Sequence, residues 1–422
     1  MEQFFKNHPK TYQSIWILLL GFCLFSAMFI IDNSGHPGDI GFWTHWAMFL
    51  KTKPFAEIYQ INCDYMPMYL YVLKVYGIFQ NTPSEFFENI HFLKAFSFIF
   101  DILTAYFIAH FMQKHLHKIG LFIVLILFVP FSYNSLVWAQ IDSIFAFFCS
   151  IALFCWFKEK YHFAIPILII AINIKLQSIL IIPVLFLMFP FLNLSPISPK
   201  LKSMCIGIFL AITIQFIVLF PFIQAKELLT YFAAILHPFK QETTVSFAAA
   251  NFWFLVTGSS LYEIATYKTD TLFLKISLKT IGYLLLLTSL LPLLSLITKL
   301  SLKKIVFSKK SAIKIGFLVS GLFCLLCFFF LTGMHERYAH LAIILLSIAA
   351  AINKKPLLIL LLFFPYFLNL EIILNRYHWL QQFSILSNLS FIALIYLAII
   401  IISYTALIIK LNTFLTNNGV KE

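Results

Sequence analysis

Asp39 follows Pro37 and Gly38 in a polar stretch, 32–71, that also carries Asp64 and Tyr65 ahead of Met66 and Pro67. Between the two acids runs an amphipathic segment with Phe42, Trp43, Trp46, Met48, Phe49 and Leu50. A carboxylate at a membrane surface takes protons, binds hydroxyls or pairs with a cation. Further along, Gln140 and Asp142 follow a helix-breaking run with Pro130, Asn134 and Ser135, and suit a sugar hydroxyl, a divalent metal, a lysine or a helix cap. Lys175 lies at the tip of an apolar hairpin with almost no loop around it, and Gln177 is two residues on. A lysine there either snorkels or binds an anion. His335, Glu336, Arg337 and Tyr338 form a polar hairpin between apolar segments. Arg337 offers a planar fork that matches phosphate, and His335 a neutral or charged donor. Glu371, Arg376, Tyr377, His378 and Trp379 make a last polar cluster, in which Arg376 is a second phosphate candidate. Trp253, in Ala250-Asn251-Phe252-Trp253, puts an aromatic pair near the interface, as substrate contact or as headgroup anchor. Asp101 stands alone in an apolar run. Its insertion costs about 2.5–3.5 kcal/mol, so a hydrogen bond from a neighbouring helix is expected.

The elements that must position these residues are membrane helices. Over 422 residues the chain is 61% hydrophobic and 11% charged, with a mean hydropathy of +0.92, more apolar surface than a soluble fold hides. Apolar segments near 13–31, 91–112, 119–133, 137–157, 161–174, 177–193, 203–222, 276–297, 315–332, 338–352, 356–371 and 388–409 predict an all-α polytopic protein of about twelve spans. The run 15–31 is long enough to stay in the bilayer and no small-residue cleavage site follows it, so no secretory signal peptide is expected. The seven cysteines show neither metal spacing nor a disulfide framework.

The charges alternate along the chain. Lys-rich connections, including Lys158 and Lys160, Lys200 and Lys202, Lys299 to Lys314, and Lys354 and Lys355, hold 18 of the 30 Lys and Arg residues. The positive-inside rule places them in the cytoplasm. The formal charge of +13 is then topology, and no nucleic-acid partner is expected. Asp39, Asp64, Arg337 and Arg376 all fall on the outer face. The segment 65–80 breaks the alternation unless it lies in or dips into the outer leaflet. The chain reads as one integral membrane domain, 1–422, with a core of about 1–222 that includes a first outer loop, 32–90. Variable helices follow over 223–422, with a long outer loop at 223–275 that is able to close over a substrate.

The order Gly38-Asp39, Asp64-Tyr65-Met66-Pro67, Asp101, Pro130-Phe131-Ser132-Tyr133-Asn134-Ser135, Ala171-Ile172-Asn173-Ile174-Lys175 with Gln177, Asn251-Phe252-Trp253 and His335-Glu336-Arg337-Tyr338 resembles the polytopic GT-C glycosyltransferases. The resemblance is nearest to the dolichyl-phosphate-glucose-dependent glucosyltransferases of N-glycan assembly and their bacterial relatives. It runs from about Gly38 to Tyr338. Each piece alone is weak, and the seven in order are specific for the superfamily. Met66 stands where the family has a first proline, and Arg337 where it has lysine; these departures bear on the sugar rather than the reaction class.

The resemblance implies a GT-C fold with juxtamembrane helices in the first outer loop, an inverting transfer, and a sugar donor on a polyprenyl phosphate. It makes Asp39 the general base. His335, Arg337, Lys175 and Arg376 are then expected at the donor phosphate, and Asp64, Tyr65, Gln140, Asp142, Gln177, Trp253 and Glu336 at the sugar or acceptor. No metal and no cofactor are expected. The partners expected are the lipid-linked donor, a lipid-linked or envelope glycan acceptor and membrane lipids, at the periplasmic face of a bacterial inner membrane. Elementary chemistry agrees: the outer face lacks nucleotide sugars, so the donor arrives as a lipid, and cations must receive a departing phosphate. A transporter or flippase would use the same charges along a path through repeated halves, and an O-antigen polymerase or ligase would act on the same face. The absence of a clear repeat and the early position of Asp39 weigh against these two.

Overall fold

A computed structural model describes residues 3, 7–30, 32–192, 197–241, 244–258, 261–264, 266–378 and 382–416. The chain is mainly helical. Its principal helices are α1 (Pro9–Ile30), α2 (Pro37–Thr52), α3 (Pro67–Ile78), α4 (His91–His110), α5 (His115–Leu127), α6 (Asp142–Phe157), α7 (Tyr161–Ile174) and α8 (Ile182–Met188). They are followed by α9 (Ile197–Gln224), α10 (Leu228–Gln241), α11 (Phe252–Thr257), α12 (Leu278–Leu302), α13 (Lys309–Phe330), α14 (His340–Ile352), α15 (Pro356–Leu374) and α16 (Leu389–Thr416).

Among the described residues six helices are long and apolar enough to cross a membrane: Glu85–His110, Ile197–Gln224, Leu278–Leu302, Lys309–Phe330, Pro356–Leu374 and Leu389–Thr416. A bent pair, His115–Leu127 with Val129–Val137, makes a seventh if counted as one span. Four shorter apolar helices accompany them: Gln13–Cys23, Asp142–Phe157, Tyr161–Ile174 and Leu176–Phe191. The apolar window of α13 is 83% buried, whereas those of α9 and α12 are each 22% buried. So α13 is the central post, and α9 and α12 turn apolar side chains such as Phe209, Ile212, Phe216 and Leu287 outward. Outer faces of this kind suit contact with lipid.

The post is packed closely because it carries glycine where neighbours press in. A Cβ at Gly321 would stand 2.7 Å from Leu346 Cγ on α14, and one at Gly316 would strike the Phe157 ring at the end of α6. Helices α13 and α14 also pack on α6, so the two halves of the chain share one core.

Polar contacts sort the connections into two groups. Glu159 pairs with Lys200 at 3.1 Å and Lys309 at 3.0 Å, Lys410 donates to Asn353 at 2.9 Å, and Lys354 reaches the Phe111 carbonyl. These are the lysine-rich connections, and they meet one another. The acid- and aromatic-rich connections meet at the opposite helix ends: Gly333 N–H donates to the Val245 carbonyl at 3.1 Å, and Trp253 Nε1 donates to the Leu331 carbonyl at 3.3 Å. A short parallel strand pair, Ser246–Phe247 with Met334–His335, joins the long loop to the hairpin there, and an antiparallel pair, Leu272–Phe273 with Ile276–Ser277, closes the loop's far end.

The segment 65–80 holds α3, too short to cross. It packs on α2 and α7 and exposes Tyr71, Val75, Ile78 and Phe79, which suits a helix lying along a bilayer surface. Helix α2 starts with Pro37 at its first turn and His36 as its N-cap. Just before it, the His36 N–H donates to the Trp138 carbonyl at 3.0 Å. Gly35 makes that approach feasible: a Cβ there would stand 3.0 Å from the Trp138 carbonyl oxygen and 3.2 Å from Ala139 Cβ. Gly35→Ala is therefore expected to cost about 1–3 kcal/mol, read as a lower midpoint of thermal unfolding in detergent; an unchanged midpoint would refute the tight approach.

Candidate functional site

The site is built where α2, the irregular turn before α6, the end of α7 and the 334–339 hairpin come together. Asp39, in the first turn of α2, is 8% exposed. Its Oδ2 accepts from Trp138 Nε1 at 2.6 Å. His36 Nδ1 lies 3.2 Å from the same oxygen and 3.3 Å from the Asp39 amide nitrogen. That ring atom donates to the carboxylate if protonated and accepts from the amide if not. The His36 ring stacks on Trp138 with centroids 4.8 Å apart. Burial opposes the charge on Asp39, yet His36, Arg337, Gln140 and Trp138 together hold its carboxyl well below the usual carboxylate range.

The turn that supplies Trp138 is irregular because its sequence will not sustain a helix. Pro130 opens a short turn, residues 133–137 widen into a π-helix, and Ala139 takes a left-handed φ of 75°. Buried side chains hold it. Ser135 donates to the Asp101 carboxylate, Tyr133 to Glu371, and Asn134 Nδ2 to Asp142 Oδ2 at 3.3 Å. Asp101 thus finds its partner on a neighbouring segment, as expected from the sequence. Trp43 Nε1 donates to the Ala139 carbonyl at 3.0 Å, tying α2 to the same turn.

Asp142 starts α6 and pairs with Lys175 at the end of α7. Both are buried. The Lys175 ammonium also lies over the rings of Phe145 at 5.6 Å, Tyr338 at 5.7 Å and Tyr65 at 5.9 Å. Tyr65 donates to Gln140 Oε1 at 3.3 Å and receives Tyr59 Oη at its own carbonyl at 2.8 Å, so the turn carrying Asp64 is pinned on two sides. Asp64 itself is exposed, and among the described residues no side chain hydrogen-bonds or pairs with it. Enough protein surrounds it that desolvation raises its carboxyl above the ordinary value, against the pull of Lys175, Arg337 and His335.

The hairpin contributes Arg337. Its Nη1 donates to Glu336 Oε1 at 2.9 Å, and its Nη2 lies 4.0 Å from Asp39 Oδ1. Its Nε is buried without a hydrogen-bond partner. One edge of the guanidinium is thus fixed by Glu336, and the other edge, Nε with Nη2, makes no hydrogen bond among the described residues. The His335 ring stacks on Phe247 with centroids 4.6 Å apart, and its Nδ1 is 3.8 Å from Glu336 Oε2. Burial, Arg337 and Lys175 push the His335 imidazole down against the pull of Glu336. Burial opposes the charge on Glu336, but His335 and Arg337 hold its carboxyl below the usual range. A narrow crevice lined by Asp142, Lys175, Gln177, Arg337 and Tyr338 runs between these groups.

Of the residues singled out in the sequence, Asp39, Asp64, Tyr65, Gln140, Asp142, Lys175, Gln177, His335, Glu336 and Arg337 converge. Two do not. Arg376 pairs with Asp32, which Lys94 also contacts at 3.0 Å, and lines a separate crevice with Ser34, Asn375 and His378. Trp253 is 2% exposed and packed under Gly282 and the Leu331 carbonyl, an anchor for the long loop. Trp379 lies outside the described residues. His36, Asn134 and Trp138 were missed as site residues. The signal for His36 was its place three residues before Asp39 at a helix start, where a side-chain acceptor caps. Among the described residues no three His, Cys, Asp or Glu side chains gather as metal ligands. No protein-family model matches the chain, and a search of curated proteins finds no match.

Removing one member of a buried pair leaves the other charge uncompensated. Lys175→Met is expected to cost about 3–5 kcal/mol, and adding Asp142→Asn should recover most of it. Thermal unfolding of the two variants in detergent checks this; a single variant as stable as the parent would contradict it.

Proposed function

We propose that the chain is an inverting GT-C glycosyltransferase that moves a sugar from a polyprenyl-phosphate-linked donor to a hydroxyl of a lipid-linked glycan or other envelope acceptor. The reading places it in a bacterial inner membrane with the site on the periplasmic face. The observation that carries it is the Arg337 guanidinium: Glu336 fixes one edge, and among the described residues the Nε and Nη2 donors of the other have no hydrogen bond although the side chain is largely buried. A planar pair of N–H donors is the shape that two oxygens of a phosphate fill. Lys175 lines the same crevice, so two cations are available there to an anionic leaving group.

In this reading the donor phosphate binds the open edge of Arg337, with Lys175 and His335 as further donors. Gln177, Gln140, Asp142, Tyr65 and Glu336 contact the sugar or hold those that do. The acceptor oxygen attacks the anomeric carbon from the face opposite the phosphate, which inverts that centre. A first-loop carboxylate takes the hydroxyl proton, and the family resemblance gives that role to Asp39. The preorganised cations meet charge as it develops on the leaving phosphate, and this term is commonly the largest in such a site.

The reading takes α1, α4, α5 with its bent continuation, α6, α7, the 176–191 segment, α9, α12, α13, α14, α15 and α16 as twelve passes, of which six described helices, or seven with the bent pair, are long and apolar enough to cross by themselves. The lysines then fall on one side and the site on the other, as the positive-inside rule requires.

The test supplies the purified protein with a panel of polyprenyl-phosphate-linked hexoses and follows release of polyprenyl phosphate. At least one donor should turn over, and Arg337→Gln should lower kcat/KM for it by about 10²–10³-fold. If no donor turns over, or if Arg337→Gln is as active as the parent, the reading fails.

A further inference from the structure

The crevice that Arg376 lines shares a wall with the site. It is the roomier of the two, about 250 Å³, and Ser34, Pro37, Val137, Asn375, Arg376 and His378 are among its lining. Pro37 lies two residues before Asp39 in the first turn of α2. Val137 immediately precedes Trp138, whose Nε1 donates to Asp39 Oδ2 at 2.6 Å. The two segments that back this crevice therefore also carry and hold the proposed base. The other oxygen, Asp39 Oδ1, makes no hydrogen bond among the described residues and lies 4.0 Å from Arg337 Nη2. It is the oxygen left for an incoming hydroxyl.

The remaining walls are bolted to the same site. Glu371, buried in α15, accepts from the Tyr133 hydroxyl and from the Tyr377 N–H, so the turn 375–378 and the turn that leads to Trp138 hang on one carboxylate. Asn375 ends α15 in a left-handed conformation, φ 52°, with its N–H on the Glu371 carbonyl at 2.7 Å. Buried Lys94 donates to the Asp32 carbonyl and to Asp32 Oδ1, each at 3.0 Å, and Ser34 Oγ donates to Asp32 Oδ2 at 2.7 Å. Asp32 Oδ2 also pairs with Arg376. The polar groups here mix donors with acceptors: a guanidinium, an imidazole, an amide, a hydroxyl and, beside them, a carboxylate. Phosphate oxygens only accept hydrogen bonds, whereas a sugar hydroxyl both donates and accepts. Arg376 and His378 are exposed, so a ligand in the crevice is within their reach.

We infer that this second crevice seats a saccharide unit of the acceptor through its hydroxyls, with Asn375, Arg376 and His378 as the contacts that set acceptor specificity. This rests on the glycosyltransferase reading, with Asp39 as its base. A hydroxyl at the end of the seated unit passes over Pro37 to Asp39. Its proton goes to Asp39 Oδ1 as its oxygen bonds to the anomeric carbon of the donor. The bond from that carbon to the phosphate oxygen breaks, and the electron pair leaves on polyprenyl phosphate at Arg337. The donor and the acceptor thus occupy separate crevices, and Asp39 stands on the wall between them.

The full-length protein in lipid nanodiscs is given a polyprenyl-phosphate-linked hexose that it turns over, with free di- and trisaccharides of hexoses and N-acetylhexosamines as acceptors. Transfer product is measured against saccharide concentration, and binding of polyprenyl phosphate is measured alongside. At least one saccharide should accept. Arg376→Gln should raise its KM by about 10–10²-fold, the loss of one hydrogen bond to a charged group, with kcat little changed, the signature of lost ground-state binding. His378→Ala, at an exposed position, should raise KM in the same direction, so the outcome does not hang on whether the arginine variant folds. Both variants should bind polyprenyl phosphate as the parent does. Three results overturn the inference: no saccharide accepts from a donor that the parent hydrolyses, both variants keep the parent KM, or Arg376→Gln weakens the binding of polyprenyl phosphate. A parent protein that turns over no donor is a different failure, of the glycosyltransferase reading itself.

Discussion

A guanidinium that is mostly buried keeps its charge, since arginine does not deprotonate in proteins. Arg337 must therefore be countered by carboxylates brought to it, and much of the structure at this end serves that requirement. Glu336 meets one edge at 2.9 Å and Asp39 approaches from the first loop at 4.0 Å. To bring Asp39 there, α2 is capped by His36, stacked on Trp138, and tied through Trp43 to the Ala139 carbonyl. To hold the hairpin there, His335 stacks on Phe247 and a short parallel strand pair links it to the long loop. The charge is balanced but one edge of its hydrogen-bonding capacity is unused, which is the property a phosphate site needs.

The same economy of polar groups governs the membrane-embedded part. No water relieves an unpaired group between apolar helices, so irregular backbone persists only where side chains complete it. The segment 133–141 is such a place. Asp101 receives Ser135, Glu371 receives Tyr133, and Asp142 receives Asn134 and Lys175, the three acids lying on three different helices. Asn369 of α15 does the same for the long loop: its Oδ1 accepts from the Ala250 N–H at 2.9 Å and its Nδ2 donates to the Ala248 carbonyl at 2.8 Å. These contacts turn a break in a helix into a rigid mount for Trp138, Gln140 and Asp142.

Much of the site was legible in the sequence because an ionisable side chain in an apolar chain has few places to be. Lysine alternation set the two ends, and with the ends set, Asp39, Asp64, Asp142, Lys175 and the His335–Tyr338 hairpin had to share one of them. What the sequence did not reveal depends on packing. Arg376 has the same charge and the same end as Arg337, yet Asp32, itself held by Lys94, draws it into another crevice. Trp253 looks like a binding aromatic, and it is buried under Gly282 as an anchor. The unlike surroundings of Asp39 and Asp64 were equally hidden, since Trp138 lies 99 residues from Asp39 in the chain. The shorter helices, such as α14 with 13 residues, read as spans by hydropathy, but six of the described helices meet the length by themselves.

The account stands on the open edge of Arg337 as a seat for a lipid-linked phosphate. The most direct measurement compares binding of polyprenyl phosphate with binding of the uncharged polyprenol of the same length, to the parent protein and to Arg337→Gln in nanodiscs. The account predicts that the parent prefers the phosphate at least about tenfold, equivalent to about 1.4 kcal/mol, and that the variant loses the preference. Equal affinity of the parent for the two lipids, or a preference that survives the substitution, would contradict it.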